Sequence, residues 1–163
     1  MDKTKKGIVG KVISVNSSDK GGIPKIPQEA VEIYEYGVKG DYHSGKTNFH
    51  AKKNNLDRQI TIIAQETIDF LNKNIGEKVF PGSLGENILI HGFGDLSDIT
   101  DKYIMEIGSG VILKINGQNQ PCSTLNSIDD RILKLIVGKR GLISTVKSTG
   151  IIKNGDKVKI YKG

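Results

Sequence analysis

Apolar residues in this chain come in short runs, most of them alternating with polar residues, and most runs end in a turn containing glycine. Period-two alternation buries one face of a strand and leaves the other in water, so the pattern specifies strands and tight connections rather than long helices. Gly7–Val15 is the first such run, with Ile8, Val9, Val12, Ile13 and Val15, and Ala30–Tyr36 is the second. Arg58–Ala64 (Arg-Gln-Ile-Thr-Ile-Ile-Ala) reads as a buried strand. Ile88-Leu89-Ile90, Tyr103–Ile107, Val111–Ile115, Leu142–Val146 and Lys157–Tyr161 extend the set, and 20 glycines supply the corners. A closed or partly closed β-barrel, mainly β with a few short helices, accommodates this better than a doubly wound sheet.

Two segments depart from the pattern. Gln65–Asn74 has helical spacing, with Ile68, Leu71 and Ile75 on one face and Gly76 as its stop. Asp129–Val137 forms a second helix with Ile132, Leu133 and Ile136 inward. Asn16–Pro27 and Thr47–Asp57 read as loops. Gly108-Ser109-Gly110 and Asn154-Gly155-Asp156 lie between apolar runs and read as barrel hairpins, their polar residues forming turns rather than doing chemistry.

A length of 163 residues fits one domain, 1–163, able to bury a core without disulfide or structural metal. The single cysteine cannot form an internal disulfide and fits a reducing compartment. No long apolar run follows the amino terminus, so neither a secretory signal nor a membrane span is expected, and a cytoplasmic location is. The net charge of +6 comes from lysines spread along the chain without interleaved aromatics. That describes a solvated surface rather than a nucleic-acid groove, and it also suits a small phosphate-bearing ligand.

Cys122 stands in Asn119-Gln120-Pro121-Cys122-Ser123-Thr124, a polar turn after a strand. An inert cysteine normally lies inside an apolar run, so this one is expected to face a cleft. Its thiolate is both a nucleophile and a soft metal ligand. His43 and His50 share one loop, and His91 follows a strand as an exposed end residue. Their spacing with one cysteine fits no closed zinc site. Pro81-Gly82-Ser83-Leu84-Gly85-Glu86-Asn87 is a glycine-bearing polar loop able to bring backbone N–H groups to an anion, though it fits no nucleotide fingerprint. Arg58 opens a buried strand, where an arginine often pairs with a carboxylate or binds phosphate; Asp41 could be that carboxylate.

The order of these pieces is more specific than any one of them. Gly40-Asp41-x-His43-x-Gly45 is followed by Arg58-Gln59-Ile60-Thr61 and Pro81-Gly82-x-Leu84-Gly85-Glu86-Asn87-Ile88. Pro121-Cys122-x-x-Leu125-Asn126 and Gly150-Ile151-Ile152-x-x-Gly155-Asp156-x-Val158 complete the series. From about Gly7 to Tyr161 the chain resembles the MOSC domain family, named for the carboxy-terminal domain of molybdenum-cofactor sulfurases. The resemblance implies a barrel like that of the pyruvate-kinase barrel domain and association with the molybdenum–molybdopterin cofactor.

In relatives that reduce N-hydroxylated compounds, the residue matching Cys122 ligates molybdenum; in sulfurase-linked relatives it is proposed to carry sulfur as a persulfide. Asn87 matches a polar residue near the cofactor, and Asp41, His43 and Arg58 match early polar motifs. The leading expectation is therefore reduction of a small N-hydroxylated substrate at a Cys122-ligated molybdenum, with Asp41, His43, Arg58 and Asn87 as cofactor-binding residues. The alternative is a sulfur carrier for molybdenum-cofactor or metal–sulfur cluster sulfuration, and a third class is a non-enzymatic binding module. The chain carries no ferredoxin, flavin or nicotinamide fingerprint, so the partner is a separate electron donor for reduction or a cysteine desulfurase for sulfur transfer. Gln118-Asn119-Gln120 stands where many relatives have an arginine near the Pro-Cys pair, which leaves open how an anion is held.

Overall fold

The computed structural model describes residues 9–42, 44 and 56–163. Eleven strands form: β1 (Val9–Ser17), β2 (Ile26–Gln28), β3 (Ala30–Tyr34), β4 (Gly37–Val38), β5 (Ile60–Ala64) and β6 (Ile88–His91), then β7 (Tyr103–Ile107), β8 (Val111–Gln118), β9 (Leu142–Ser148), β10 (Gly150–Lys153) and β11 (Lys157–Lys162). Two helices, α1 (Gln65–Ile75) and α2 (Ile132–Leu135), and the 3-10 segments Leu56–Arg58 and Ser123–Ser127 join them. No helix of the described residues is long and apolar enough to cross a membrane.

Seven strands close on themselves in the order β1-β11-β7-β8-β9-β5-β6, with β2 added beside β1. Closure removes the unpaired edges that an open sheet would expose. Every barrel pair is antiparallel except β5 and β6, which run parallel because α1 carries the chain between them. β10, β3 and β4 make a small second sheet.

The alternation places the core. Ile60, Ile62 and Ala64 of β5 and Ile88 and Ile90 of β6 join Val12, Met105, Leu113 and Ile160 in one buried cluster, which fills the barrel. Ile63 and Leu89, on the opposite face of the same strands, join a second cluster with Ile68, Leu71 and Ile75 of α1 and with Leu125, Ile132 and Ile136. β5 and β6 are thus covered on both faces, which is why they read as near-continuous apolar runs.

Two expectations are corrected. The helix expected over Asp129–Val137 is a single regular turn, Ile132–Leu135. The Asp129 carboxylate is engaged outside it by Lys78 and by the side chain and backbone N–H of Arg131, so the segment starts late. Ile132 and Ile136 are buried as their spacing predicts. Asn154-Gly155-Asp156 does turn the chain, but not within a hairpin: β10 pairs with β3 in the small sheet, while β11 pairs with β7 and β1 in the barrel. The turn is a corner between sheets, and Val12 of β1 bonds to it twice through its backbone. Gly108-Ser109-Gly110 is the expected hairpin, joining β7 and β8. Within Asn16–Pro27, expected as a loop, β2 begins at Ile26. Residues 47–55 of the expected Thr47–Asp57 loop lie outside the described residues.

Candidate functional site

The chain from β8 to β9 folds back over the outer wall of β5 and β6. Its base is pinched where Asn119 N–H donates to Gly141 O at 2.8 Å, and its middle is anchored by Leu125, Ile132 and Ile136 in the outer apolar cluster. Cys122 lies between these anchors, ahead of the 3-10 segment, and is exposed. Burial of the anchors holds the loop in place while leaving the thiol accessible.

The surroundings of Cys122 favour its thiolate. The Thr124 side chain is the largest cause holding the thiol below its ordinary value, with the Thr124 backbone N–H second. Burial opposes this, and the charges of Arg140 and Arg58 add smaller contributions to the lowering. The lowered value makes more thiolate available near neutral pH.

Arg58 donates through Nη2 to Asn119 Oδ1, so it pairs with the segment between β8 and Cys122 and not with Asp41. Arg140, in the turn before β9, donates through Nη2 to Leu84 O at 2.9 Å. Arg140 is 8 % exposed, and its Nε is a buried atom without a hydrogen-bond partner among the described residues. Burial lowers its pKa first; Arg58 lowers it further, while Glu86 and Cys122 oppose both. Arg58, Arg140, Glu86 and Cys122 thus form one electrostatic cluster.

Glu86 is fully buried and holds the glycine-bearing loop in shape, its Oε2 accepting from Gly82 N–H at 2.8 Å. Its Oε1 has no partner among the described residues. Burial pushes its pKa from 4.5 up to about 7, although Gly82 and Arg140 pull the other way. A raised folded-state value means that the group favours folding below the unfolded pKa, and that this contribution is lost as pH rises toward the folded one. Between pH 4.5 and about 7 the chain should lose about 3 kcal/mol of stability through this one group. Chemical denaturation of wild type and Glu86→Gln across that range tests it. The variant keeps the acceptor and should lack this loss; parallel curves would refute the linkage.

Asp41 and Asn87, expected as cofactor-binding residues, hold backbone and buried side-chain partners among the described residues. Asp41 accepts both Oδ contacts from the buried Lys25 Nζ, at 2.8 and 3.0 Å, and a third bond from Ser18 N–H. Asn87 ties strands together: Oδ1 accepts from Thr61 N–H at 3.1 Å and Nδ2 donates to Asn16 O at 3.3 Å. His43 and His50 lie outside the described residues. His91 is the exposed strand-end residue expected, 3.3 Å from Glu66 Oε2.

Arg140, Asn119, Glu86 and Thr124 went unnoticed as site residues in the sequence. The signal for Arg140 is the one that singled out Arg58: an arginine directly before a buried strand, here in Gly138-Lys139-Arg140-Gly141.

Comparisons with known proteins bear on this arrangement. The model of the MOSC domain matches residues 39–159. YuaD of Bacillus subtilis (strain 168), whose name makes it a candidate metal-sulfur cluster biosynthesis protein, is 23% identical over 150 residues, covering 78% of each chain. The crystal structure of YuaD from that species superposes with a TM-score of 0.83 at 20% identity, covering 96% of this chain and 97% of that one. YiiM from Geobacillus stearothermophilus superposes with a TM-score of 0.72 at 21% identity, covering 94% and 75%. At these identities the superpositions speak for the fold.

Proposed function

This chain belongs to the MOSC domain family, and from that premise we propose that it is a sulfur carrier whose Cys122 accepts one sulfur atom as a persulfide and hands it on. The observation that carries this reading is an exposed thiol held low by Thr124 and by two arginines. A carrier needs exposure so that donor and acceptor can reach the sulfur, and needs a thiolate because the thiolate is the attacking species. The Cys122 thiolate attacks the outer sulfur of a donor persulfide, such as that of a cysteine desulfurase. The new Cys122 S–S bond forms as the donor S–S bond breaks, and the donor cysteine leaves as a thiolate. The name of the similar YuaD, in metal-sulfur cluster biosynthesis, points the same way.

A second reading is favoured by the arginine pair. The family is associated with the molybdenum cofactor, an anionic pterin group. The unpartnered Nε of Arg140 and the Cys122 thiolate are the donor chemistry such a group requires. In that reading Cys122 would ligate the metal and Arg58 and Arg140 would hold the phosphate, while Asp41 and Asn87 keep the loops in place. Bound there, the group would supply the redox chemistry for reducing an N-hydroxylated substrate, with electrons from a separate protein.

Incubation with a cysteine desulfurase and cysteine should add ~32 Da to Cys122 by mass spectrometry, the mass of one persulfide sulfur. Cys122→Ser should take up none. A wild-type chain left unmodified where a known acceptor is loaded would sink the carrier reading. The same two proteins, produced in a host that makes the cofactor, separate the readings: molybdenum bound by wild type and lost in Cys122→Ser would move the assignment to metal ligation.

A further inference from the structure

Two anions repel, so a thiolate flanked by guanidinium groups is suited to a substrate that is itself an anion. Cys122 has two such groups, anchored independently: Arg58 on Asn119 Oδ1, three residues before the thiol, and Arg140 on Leu84 O. The hydrogen bond from Asn119 N–H to Gly141 O brings the Arg140 turn against the same stretch. Arg140 is more than nine-tenths buried and still has an Nε without a partner among the described residues. A guanidinium N–H left bare at such burial is costly unless something binds it. The cluster therefore has a nucleophile, two cations and an unfilled donor, which is the composition of a site for an oxyanion that reacts with sulfur.

We propose that Arg58 and Arg140 hold a sulfane-sulfur oxyanion of the thiosulfate class against Cys122, so that the chain can draw sulfur directly from a small inorganic donor. The inference rests on the carrier reading and names its substrate. The Cys122 thiolate attacks the outer, sulfane sulfur of thiosulfate. A Cys–S–S bond forms while the bond between the sulfane and sulfonate sulfurs breaks, and sulfite leaves with the bonding pair. The thiolate's one charge and thiosulfate's two become one on the persulfide and two on sulfite, so neither proton nor external electron is required. The arginines offset the repulsion during approach and stabilise the charge that gathers on the departing sulfite. With cyanide as acceptor, the outer sulfur leaves as thiocyanate and the thiolate is restored.

The test measures thiocyanate from thiosulfate and cyanide, together with the ~32 Da adduct on Cys122 left by thiosulfate alone. Wild type should turn over with saturation in thiosulfate and inhibition by sulfite, and Cys122→Ser should be inactive. Arg58→Met and Arg140→Met should each lower kcat/KM for thiosulfate by about 10- to 100-fold, the worth of a charge-assisted contact. Alkylation of Cys122 by uncharged iodoacetamide should change within about fivefold in Arg58→Met, because that residue is exposed and acts on the thiol only through space. The exposed Arg58 keeps the test decisive even if Arg140→Met fails to fold. Loading by a desulfurase but not by thiosulfate would overturn this inference and leave the carrier reading intact. Loading by neither would overturn both. Equal loading of wild type and arginine variants would remove the arginines from the site. Binding of inorganic phosphate without any turnover of thiosulfate would also overturn it.

Discussion

Replacing Lys25 with methionine is expected to lower the free energy of unfolding at neutral pH by about 3–5 kcal/mol, the range for breaking a buried ion pair. Lys25 Nζ lies 2.8 Å from Asp41 Oδ1, with both side chains 1% exposed. Methionine fills the volume of the lysine stem but leaves the Asp41 carboxylate buried without its counter-charge. Asp41→Leu should cost a similar amount, for the opposite reason. The double variant Lys25→Met/Asp41→Leu removes both charges and should recover most of the loss, since an apolar pair of similar volume avoids the desolvation of two ions. Chemical denaturation of the four proteins gives the coupling energy directly. Additive losses would mean that the pair is not coupled.

That pair also marks a limit of reading the sequence. Asp41 and Arg58 are both polar residues beside strands, and Asp41 is a carboxylate that could pair with Arg58. The structure instead gives Asp41 to Lys25 and Arg58 to Asn119. Partner choice of this kind depends on which loops the barrel closure brings together, and no local pattern encodes it. Secondary structure was legible where burial is periodic. The seven barrel strands, β3 and α1 with its Gly76 stop follow from residue spacing, because each carries a repeating apolar face or, in β5 and β6, apolar residues on both. Asp129–Val137 has the same spacing but forms one turn of helix, because its start is diverted to the ion pairs of Asp129. The turn at Asn154–Asp156 was legible as a turn. Its strands part company because turn chemistry is local and strand pairing is not.

The site was half legible. Cys122 announced itself by standing in a polar, proline-bearing turn, and it is exposed as that setting implies. The largest cause of its lowered pKa, Thr124, stands only two residues on, while the smaller contributions of Arg140 and Arg58 come from distant parts of the chain. Neither arginine that acts on the thiol is its neighbour in sequence. The Asn119–Gly141 hydrogen bond that closes the loop brings the Arg140 turn against the Cys122 stretch.

Closing that loop requires glycine at 141, and Gly141→Ala should be the most damaging glycine-to-alanine substitution among the described residues. Its φ is +93°, a region that L side chains rarely adopt, and a Cβ there would lie 1.9 Å from Ile62 O and 3.0 Å from the Ile62 carbonyl carbon. The obstacle is the backbone of β5 in the barrel wall, so it cannot rotate away as a side chain would. Backbone strain of this kind and overpacking against a rigid neighbour each cost about 1–3 kcal/mol, so a total loss of several kcal/mol is expected. Relief would come from lifting the turn off β5, which carries Arg140 away from Leu84 O and loosens the bond between Asn119 and Gly141. Stability and thiol reactivity should then fall together. Thermal unfolding should shift downward, and the pH at which Cys122 reaches half-maximal alkylation should move up by the part of the lowering that Arg140 contributes, the larger part from Thr124 remaining. Gly138 is the control in the same turn: its φ is +76°, but a Cβ there meets nothing within 4 Å. Gly138→Ala should therefore show only the cost of its backbone conformation, about 1 kcal/mol, and leave the thiol unchanged. Equal behaviour of the two variants would mean that close approach to β5 is not what holds the arginine beside the cysteine.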